Sequence, residues 1–269
     1  MLSFDEFKAV HSEVANSVTK LWTRDLQIEA SQHNATLHPD HFNMEAYFLA
    51  SLQRFYAAYA AVADKEVNTV CDIGCLGGVF PLTMRRLGYD VTVTETLSLY
   101  SENFLRFLDF HRDNGIKIVD YDPFGDSLHG ATYDLVFCMA VLEHYPHSLK
   151  LFARNFAAMI GDGGLAYIEV PLITYFFKRL NLLFGKSPLV DIRFISASKI
   201  PFTGHHHEFT IEELRFLANM AGLDILDEHY VSYSAQLPWL QRQLYRLLTR
   251  WWPDCHEVGA LLCLKGTPS

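Results

Sequence analysis

No stretch of this sequence is long and apolar enough to cross a bilayer. The best run, residues 165–177, falls short of about 18 apolar residues and is broken by Glu169 and Pro171. The first ten residues lack the basic-then-apolar order of a secretory signal, so a cytoplasmic location is expected. Positive charge is also scarce. Lys and Arg number 22 against 31 Asp and Glu, a net charge of −9, which argues against a broad nucleic-acid surface. Cysteine is sparse, odd in number and scattered (Cys71, Cys75, Cys138, Cys255, Cys263), so no disulfide framework is expected. Repeats, low-complexity tracts and Gly/Ser linkers are missing too, which leaves one continuous α/β unit with a substantial core.

Two textures are present. Residues 3–64 read as helices: Phe4, Phe7 and Val10, then Val14, Val18 and Leu21, follow helical spacing, and 44–63 is rich in Ala, Leu, Phe and Tyr. The polar stretch 31–39 between them reads as a loop. From residue 67 onward short β-type runs alternate with helical segments. Strands are expected at 67–73, 89–94, 116–119, 133–139 and 165–170, and helices at 80–87, 98–114 and 149–160. Such alternation implies βαβ units and a parallel sheet. An irregular insert follows at about 172–204, then a helix at 211–221, a strand at 223–233, a helix at 239–252 and a strand at 259–265. Two late strands suggest an antiparallel edge.

The segment Val70-Cys71-Asp72-Ile73-Gly74-Cys75-Leu76-Gly77-Gly78 is a strand running into a Gly-rich turn and a helix. Glycines let backbone approach a ligand closely, and a helix start offers free N–H groups. A dinucleotide fingerprint would need glycine at 76 and 79, where Leu76 and Val79 stand, so that reading fails.

The same segment resembles the first motif of class I S-adenosylmethionine-dependent methyltransferases, with one departure: Leu76 occupies the usual middle glycine. Further segments agree in order. Glu95 ends the second strand, 21 positions after Gly74. Asp120-Tyr121-Asp122-Pro123-Phe124 ends the third. The run 133–144, closing on Met139 and then Glu143-His144, is similar to the fourth strand and its turn. Residues 161–171 resemble the helix-ending glycine turn and fifth strand, and 204–223 the late histidine, capped helix and sixth strand.

The resemblance implies a Rossmann-like, doubly wound seven-stranded sheet, mostly parallel with an antiparallel edge strand. It would carry an N-terminal helical cap (1–66) on a methyltransferase domain (67–269). It implies S-adenosylmethionine as cofactor, held by Asp72, Gly74, Cys75, Gly77, Gly78, Glu95 and Met139, with Asp120, Tyr121 and Asp122 near the adenine. Asp120 with the Tyr121 amide and Asp122 remain competing adenine contacts.

Transfer from a sulfonium is an in-line displacement, so the protein must mainly position the acceptor and exclude water. A hydroxyl acceptor also needs a base, and His144 and His205 are the candidates, each with a plain alternative as a loop-orienting or capping side chain. His205, His206 and His207 are consecutive and cannot converge on one ion from a strand or helix, so no metal ligand set is assigned.

Residues 173–184, and Arg242, Arg246 and Arg250 beside Trp239, Trp251 and Trp252, form basic, aromatic-flanked segments. They suit a hydrophobic or lipid-linked acceptor or peripheral membrane contact. Core packing with a solvated basic face is the commoner use of such a helix. The favoured function is O-methylation of a small molecule. A non-catalytic binding protein is the rival that Leu76 raises, and an RNA methyltransferase is disfavoured by the charge.

Overall fold

The computed structural model describes residues 1–232, 239–249 and 256–266, without the side chains of Gln241, Arg246, Leu248 and Thr249. Tyr233, Arg250, Trp251, Trp252 and Cys255 lie outside the described residues, as does the Arg246 side chain.

Four helices precede the sheet: α1 (Phe4–Leu21), α2 (Arg24–Ser31), α3 (Met44–Ala50) and α4 (Leu52–Ala60). Ser3 starts α1 with a capping box, its hydroxyl accepting from the Glu6 amide while Glu6 accepts from the Ser3 amide. The helical spacing then turns Phe7, Val14, Ala15 and Val18 inward. His11 shares that face and is fully buried, which pushes its pKa down to about 4.

His144 and His256 are also held down to about 4 by burial. A histidine neutral in the folded state and protonated when unfolded stabilises fully above its unfolded pKa, and that contribution is lost as pH falls toward about 4. The melting temperature is therefore expected to drop between about pH 6.5 and 4. His11→Leu should flatten the drop and cut proton uptake on unfolding at pH 5 by roughly one. Calorimetric melts across that range check it; an unchanged slope would count against a neutral buried His11.

The sheet elements follow in order: β1 (Thr69–Ile73), α5 (Val79–Arg86), β2 (Asp90–Glu95), α6 (Glu102–Asp113), β3 (Lys117–Asp120), β4 (Tyr133–Met139), α7 (Lys150–Ala158) and β5 (Ile160–Pro171). Then come α8 (Phe176–Leu183), α9 (Ile192–Ala197), α10 (Ile211–Met220), β6 (Leu223–Val231), α11 (Trp239–Thr249) and β7 (Glu257–Leu264). The seven strands lie in the order β3-β2-β1-β4-β5-β7-β6. Neighbours from β3 to β5 are parallel, with Asp72 opposite Val93 and Phe137, while β7 runs antiparallel to both β5 and β6.

β1 and β4 are buried on both faces, which is why they read as nearly continuous apolar runs. Phe137 joins Phe7, Phe48, Phe80 and Phe104 on one side; Val136 and Cys138 join Phe152, Phe156 and Leu214 on the other.

Three expectations are corrected locally. The insert is not irregular throughout, since it carries α8 and α9. The 161–164 glycine run does not simply end a helix. It lies inside β5, where the pairing jumps from Tyr133–Ile160 to Leu135–Leu165 and Gly163 turns left-handed at φ 71°. The expected helix 98–114 begins only at Glu102, where Ser101 caps it, after a 3-10 turn at Leu97–Leu99. The polar loop 31–39 proves to be a docking strip for the insert. The Ala35 amide donates to Ser198 Oγ (2.9 Å), the Lys199 amide to Gln32 O (2.7 Å) and the Thr203 amide to His33 O (2.7 Å).

Candidate active site

Connections leave β1 toward β2 on one side and β4 lies on the other, so the chain parts at the carboxyl ends of β1 and β4. That is where an open α/β sheet forms its ligand crevice. Backbone strain marks the same place. Leu76 (φ 47°) and Ala140 (φ 54°) are the left-handed non-glycine residues among those described, and each follows one of these two strands. A left-handed L-residue costs about 1–2 kcal/mol and persists only where its surroundings hold it.

Around the β1 turn the contacts are dense. Gly74 (φ 69°) donates to Thr94 O, and the Gly78 amide donates to Cys75 O at 2.8 Å. The Cys75 amide donates to Glu95 Oε1 at 2.6 Å, and the Tyr100 hydroxyl donates to Glu95 Oε2 at 2.7 Å. Glu95 is buried, and burial raises its pKa against these hydrogen bonds. Asp72, below the turn, is raised well above the carboxylate range by burial and then by the charge of Glu95. The Glu95 carboxylate, an acceptor on both oxygens, is the kind of group a ribose diol would meet. A Cβ on Gly77 would lie 2.4 Å from the Phe48 ring, so α3 sits directly against the turn. The arrangement of glycines, buried acids and aromatic cover fits S-adenosylmethionine.

At the end of β3, Asp120 Oδ1 accepts from the Leu97 amide (3.0 Å), and Asp122 Oδ1 accepts from the Phe124 amide (2.9 Å). The Tyr121 amide already donates to Glu95 O, and its ring is buried, so that amide is not free for an adenine. Asp120 and Asp122 are both exposed. Met139 closes β4 in a buried position.

Beyond β4, Glu143, His144 and His205 come together, with donor atoms all within 4.8 Å of one another. The two imidazoles meet edge to face at 4.9 Å. His144 Nδ1 donates to Thr203 O at 2.8 Å, since a carbonyl can only accept, and burial pushes its pKa down to about 4. His205 Nδ1 lies 3.1 Å from Glu208 Oε1, and its Nε2 lies 3.9 Å from Glu143 Oε1. Glu208 is paired in turn with Lys178 of α8, and its carboxyl is held low by His205 and Lys178 despite burial. Burial pushes Glu143 up to about 7, with the His205 charge opposing. His206 and His207 turn elsewhere, to Phe202 O and Glu213.

The sequence reading missed Glu143 as part of a three-residue cluster, and it missed Glu208, Tyr100 and Phe48. Only the His-x-x-Glu spacing of His205 and Glu208 could have signalled one of them.

A family model described as "Methyltransferase domain" matches residues 41–228. A ubiquinone biosynthesis O-methyltransferase of Cupriavidus pinatubonensis is 27% identical over 181 residues, covering 65% of this chain and 66% of that protein. One of Mesorhizobium japonicum is 28% identical over 190 residues, covering 67% and 70%. Among solved structures, magnesium protoporphyrin IX methyltransferase of Synechocystis PCC 6803, with bound SAH, superposes with a TM-score of 0.54. It is 17% identical and covers 81% of this chain and 85% of that one, a likeness of fold. The chain belongs to the methyltransferase-domain family and is a class I S-adenosylmethionine-dependent methyltransferase.

Proposed function

We propose that this enzyme O-methylates a small hydroxylated acceptor, with His205 removing the hydroxyl proton. The observation that carries the reading is the Glu208–His205 contact. A carboxylate at Nδ1 fixes the tautomer, leaves Nε2 as the proton acceptor and stabilises the imidazolium that forms. His144 is the weaker base, because a pKa near 4 leaves it little affinity for a proton. Its place beside His205 suits it instead to orient the acceptor. The relatives are named for O-methylation, which supports a hydroxyl as acceptor atom.

When bound, S-adenosylmethionine supplies an electrophilic methyl group. In this reading Gly74, Cys75, Gly77, Gly78 and Asp72 hold its methionine half, Glu95 the ribose, Asp120 or Asp122 the adenine, and Met139 lines the crevice. Residues 1–66 act as a cap that excludes water through Trp22 and Phe48, which meet edge to face at 5.6 Å.

The acceptor is proposed to carry an apolar body. Leu182 and Leu183 on α8, Phe184 just after it, and Trp239, Leu240, Leu244 and Leu247 on α11 are all exposed. The insert, 172–204, holds five basic residues against one acid in an otherwise acidic chain, which supports a hydrophobic or lipid-linked acceptor and peripheral contact with anionic lipid. No helix among the described residues is long and apolar enough to cross a membrane.

Binding of S-adenosylhomocysteine by calorimetry tests the cofactor placement. Glu95→Ala is expected to weaken it by about 1–3 kcal/mol, a factor of roughly 5 to 150, because two hydroxyls lose a charged acceptor. Unchanged affinity would place the cofactor elsewhere.

A second reading has its own observation. Glu143, His144 and His205 present three donor atoms that could hold a divalent cation, which would lower the pKa of an acceptor hydroxyl. Turnover that survives exhaustive chelation supports His205 as base. Turnover lost to chelation and restored by Mg²⁺ or Zn²⁺ supports the cation.

A further inference from the structure

We propose that His111 is a positioning residue that sets cofactor affinity by supplying the hydrogen-bond donor that the Gly77 carbonyl, just outside helix α5, does not find in the backbone ladder. The inference rests on the placement of S-adenosylmethionine over residues 74–78 given above.

The turn contains an unusual demand. Cys75 and Gly78 are joined by a 2.8 Å backbone hydrogen bond, so Leu76 stands at the first central position of a tight turn. Its φ of 47° is one for which glycine is the usual choice. Helix α5 follows at once with Gly78 as its N-cap, and the first bond of its ladder runs from the Leu82 amide to Gly78 O. Gly77 lies one residue outside the helix, so the ladder offers its carbonyl no amide. The Gly77 carbonyl is left to find a donor elsewhere, at the one peptide whose rotation would reorient the turn.

His111 fills the vacancy. It reaches from the last turn of α6, is 1% exposed, and places Nε2 3.1 Å from Gly77 O. Its other nitrogen lies 3.2 Å from Phe107 O, a carbonyl whose helical partner is the backbone amide of His111 itself. A neutral imidazole has one N–H for these two acceptors. The Gly77 carbonyl, with no helical donor, is the one that requires it, so the proton belongs on Nε2. Burial lowers the His111 pKa, which keeps the ring neutral. The fit is tight as well: a Cβ on Gly78 (φ 67°) would lie 2.0 Å from Nε2, so His111 in this place requires glycine at 78.

With the Cys75–Glu95 bond on one side and His111 on the other, the left-handed Leu76 is held from both ends. The 77–78 peptide cannot turn, and the ligand-facing backbone is ordered before the cofactor arrives.

Two substitutions separate this role from packing. His111→Gln keeps an N–H near the position of Nε2, whereas His111→Leu fills the space without a donor. Calorimetry with S-adenosylhomocysteine is expected to show a loss of about tenfold or more for His111→Leu and at most about threefold for His111→Gln. Melting temperatures of the cofactor-free proteins report folding separately. Equal affinities for the two variants, or a fall in melting temperature with affinity intact, would overturn the proposal.

If His111→Leu does not fold, His111→Asn replaces it. Its amide is too short to reach Gly77 O, so it must lose affinity that His111→Gln retains. Glu95→Ala, measured alongside, separates the two ideas. If it weakens binding and His111→Leu does not, the clamp alone fails; if neither does, the cofactor placement fails.

Discussion

Replacing His205 with alanine is expected to lower turnover by about 10²–10⁴-fold while leaving S-adenosylhomocysteine affinity nearly unchanged. The size follows from the role. A base that accepts the hydroxyl proton acts in the transition state and little in the ground state, so its loss falls on kcat rather than on binding. The variant should also lose the acid limb of the pH–rate profile, because the wild-type enzyme needs the imidazole neutral.

Glu208→Gln keeps the shape but removes the carboxylate at 3.1 Å from His205 Nδ1. It should give a smaller loss, on the order of tenfold, because the tautomer and the forming imidazolium lose support. His144→Gln should be milder than His205→Ala, since burial lowers its pKa and makes it the weaker base. Single-turnover rates with any methylated acceptor, together with calorimetry, check the set. Turnover within about threefold of wild type for His205→Ala would remove His205 from the chemistry and leave an acceptor that is nucleophilic without help.

The second large effect concerns stability. Arg54, on α4, is 4% exposed, with Nη2 2.9 Å from Glu169 Oε1 of β5 and Nε 3.9 Å from Glu257 Oε2 of β7. One guanidinium thus faces two carboxylates, with Glu143 adding to the negative field around Glu169. Burial drives the Glu169 carboxyl upward, and Arg54 opposes it.

Arg54→Met would leave a buried carboxylate with its cation gone, a change that typically costs about 3–5 kcal/mol. For a chain of this size that is roughly a 10 °C fall in melting temperature. The sign with pH is definite. A Glu whose folded pKa lies above its unfolded value loses stability as pH rises from the unfolded pKa through the folded one, so the deficit should be larger at pH 8 than at pH 5. Adding Glu169→Gln should return part of the loss, because the remaining group carries no charge. A melt within about 2 °C of wild type would show that the N-terminal helices do not depend on this ion pair.

Much of this protein was legible in the chain itself. Apolar runs such as Val136–Cys138 and the glycine punctuation around them mark the strands, because a strand buried on both faces needs apolar side chains throughout. The order of Asp72, Gly74, Glu95, Asp120 and Glu143-His144 follows the carboxyl ends of successive strands. Parallel topology delivers all of those ends to one edge of the sheet. Such features are local or periodic, and local chemistry sets them.

What the chain could not reveal depends on contacts between residues far apart. Nothing in the spacing joins Glu208 and His205 to Lys178, or Glu143 to His205, until the insert folds back over β4 and β5. Arg54 reads as one more charge on an amphipathic helix; only packing against β5 and β7 buries it beside Glu169. The glycine run 161–164 reads as a helix stop, yet β4 pairs on either side of it, Tyr133 with Ile160 and Leu135 with Leu165, which draws it into β5. Leu76 reads as a defect in a glycine motif, and tertiary contacts make it tolerable. Glu95 and His111, from two other elements, hold the turn that Leu76 alone would not adopt. Periodicity and turn chemistry are written in neighbouring residues. Charge pairing, burial and the compensation of strain belong to the folded state, where the partners first meet.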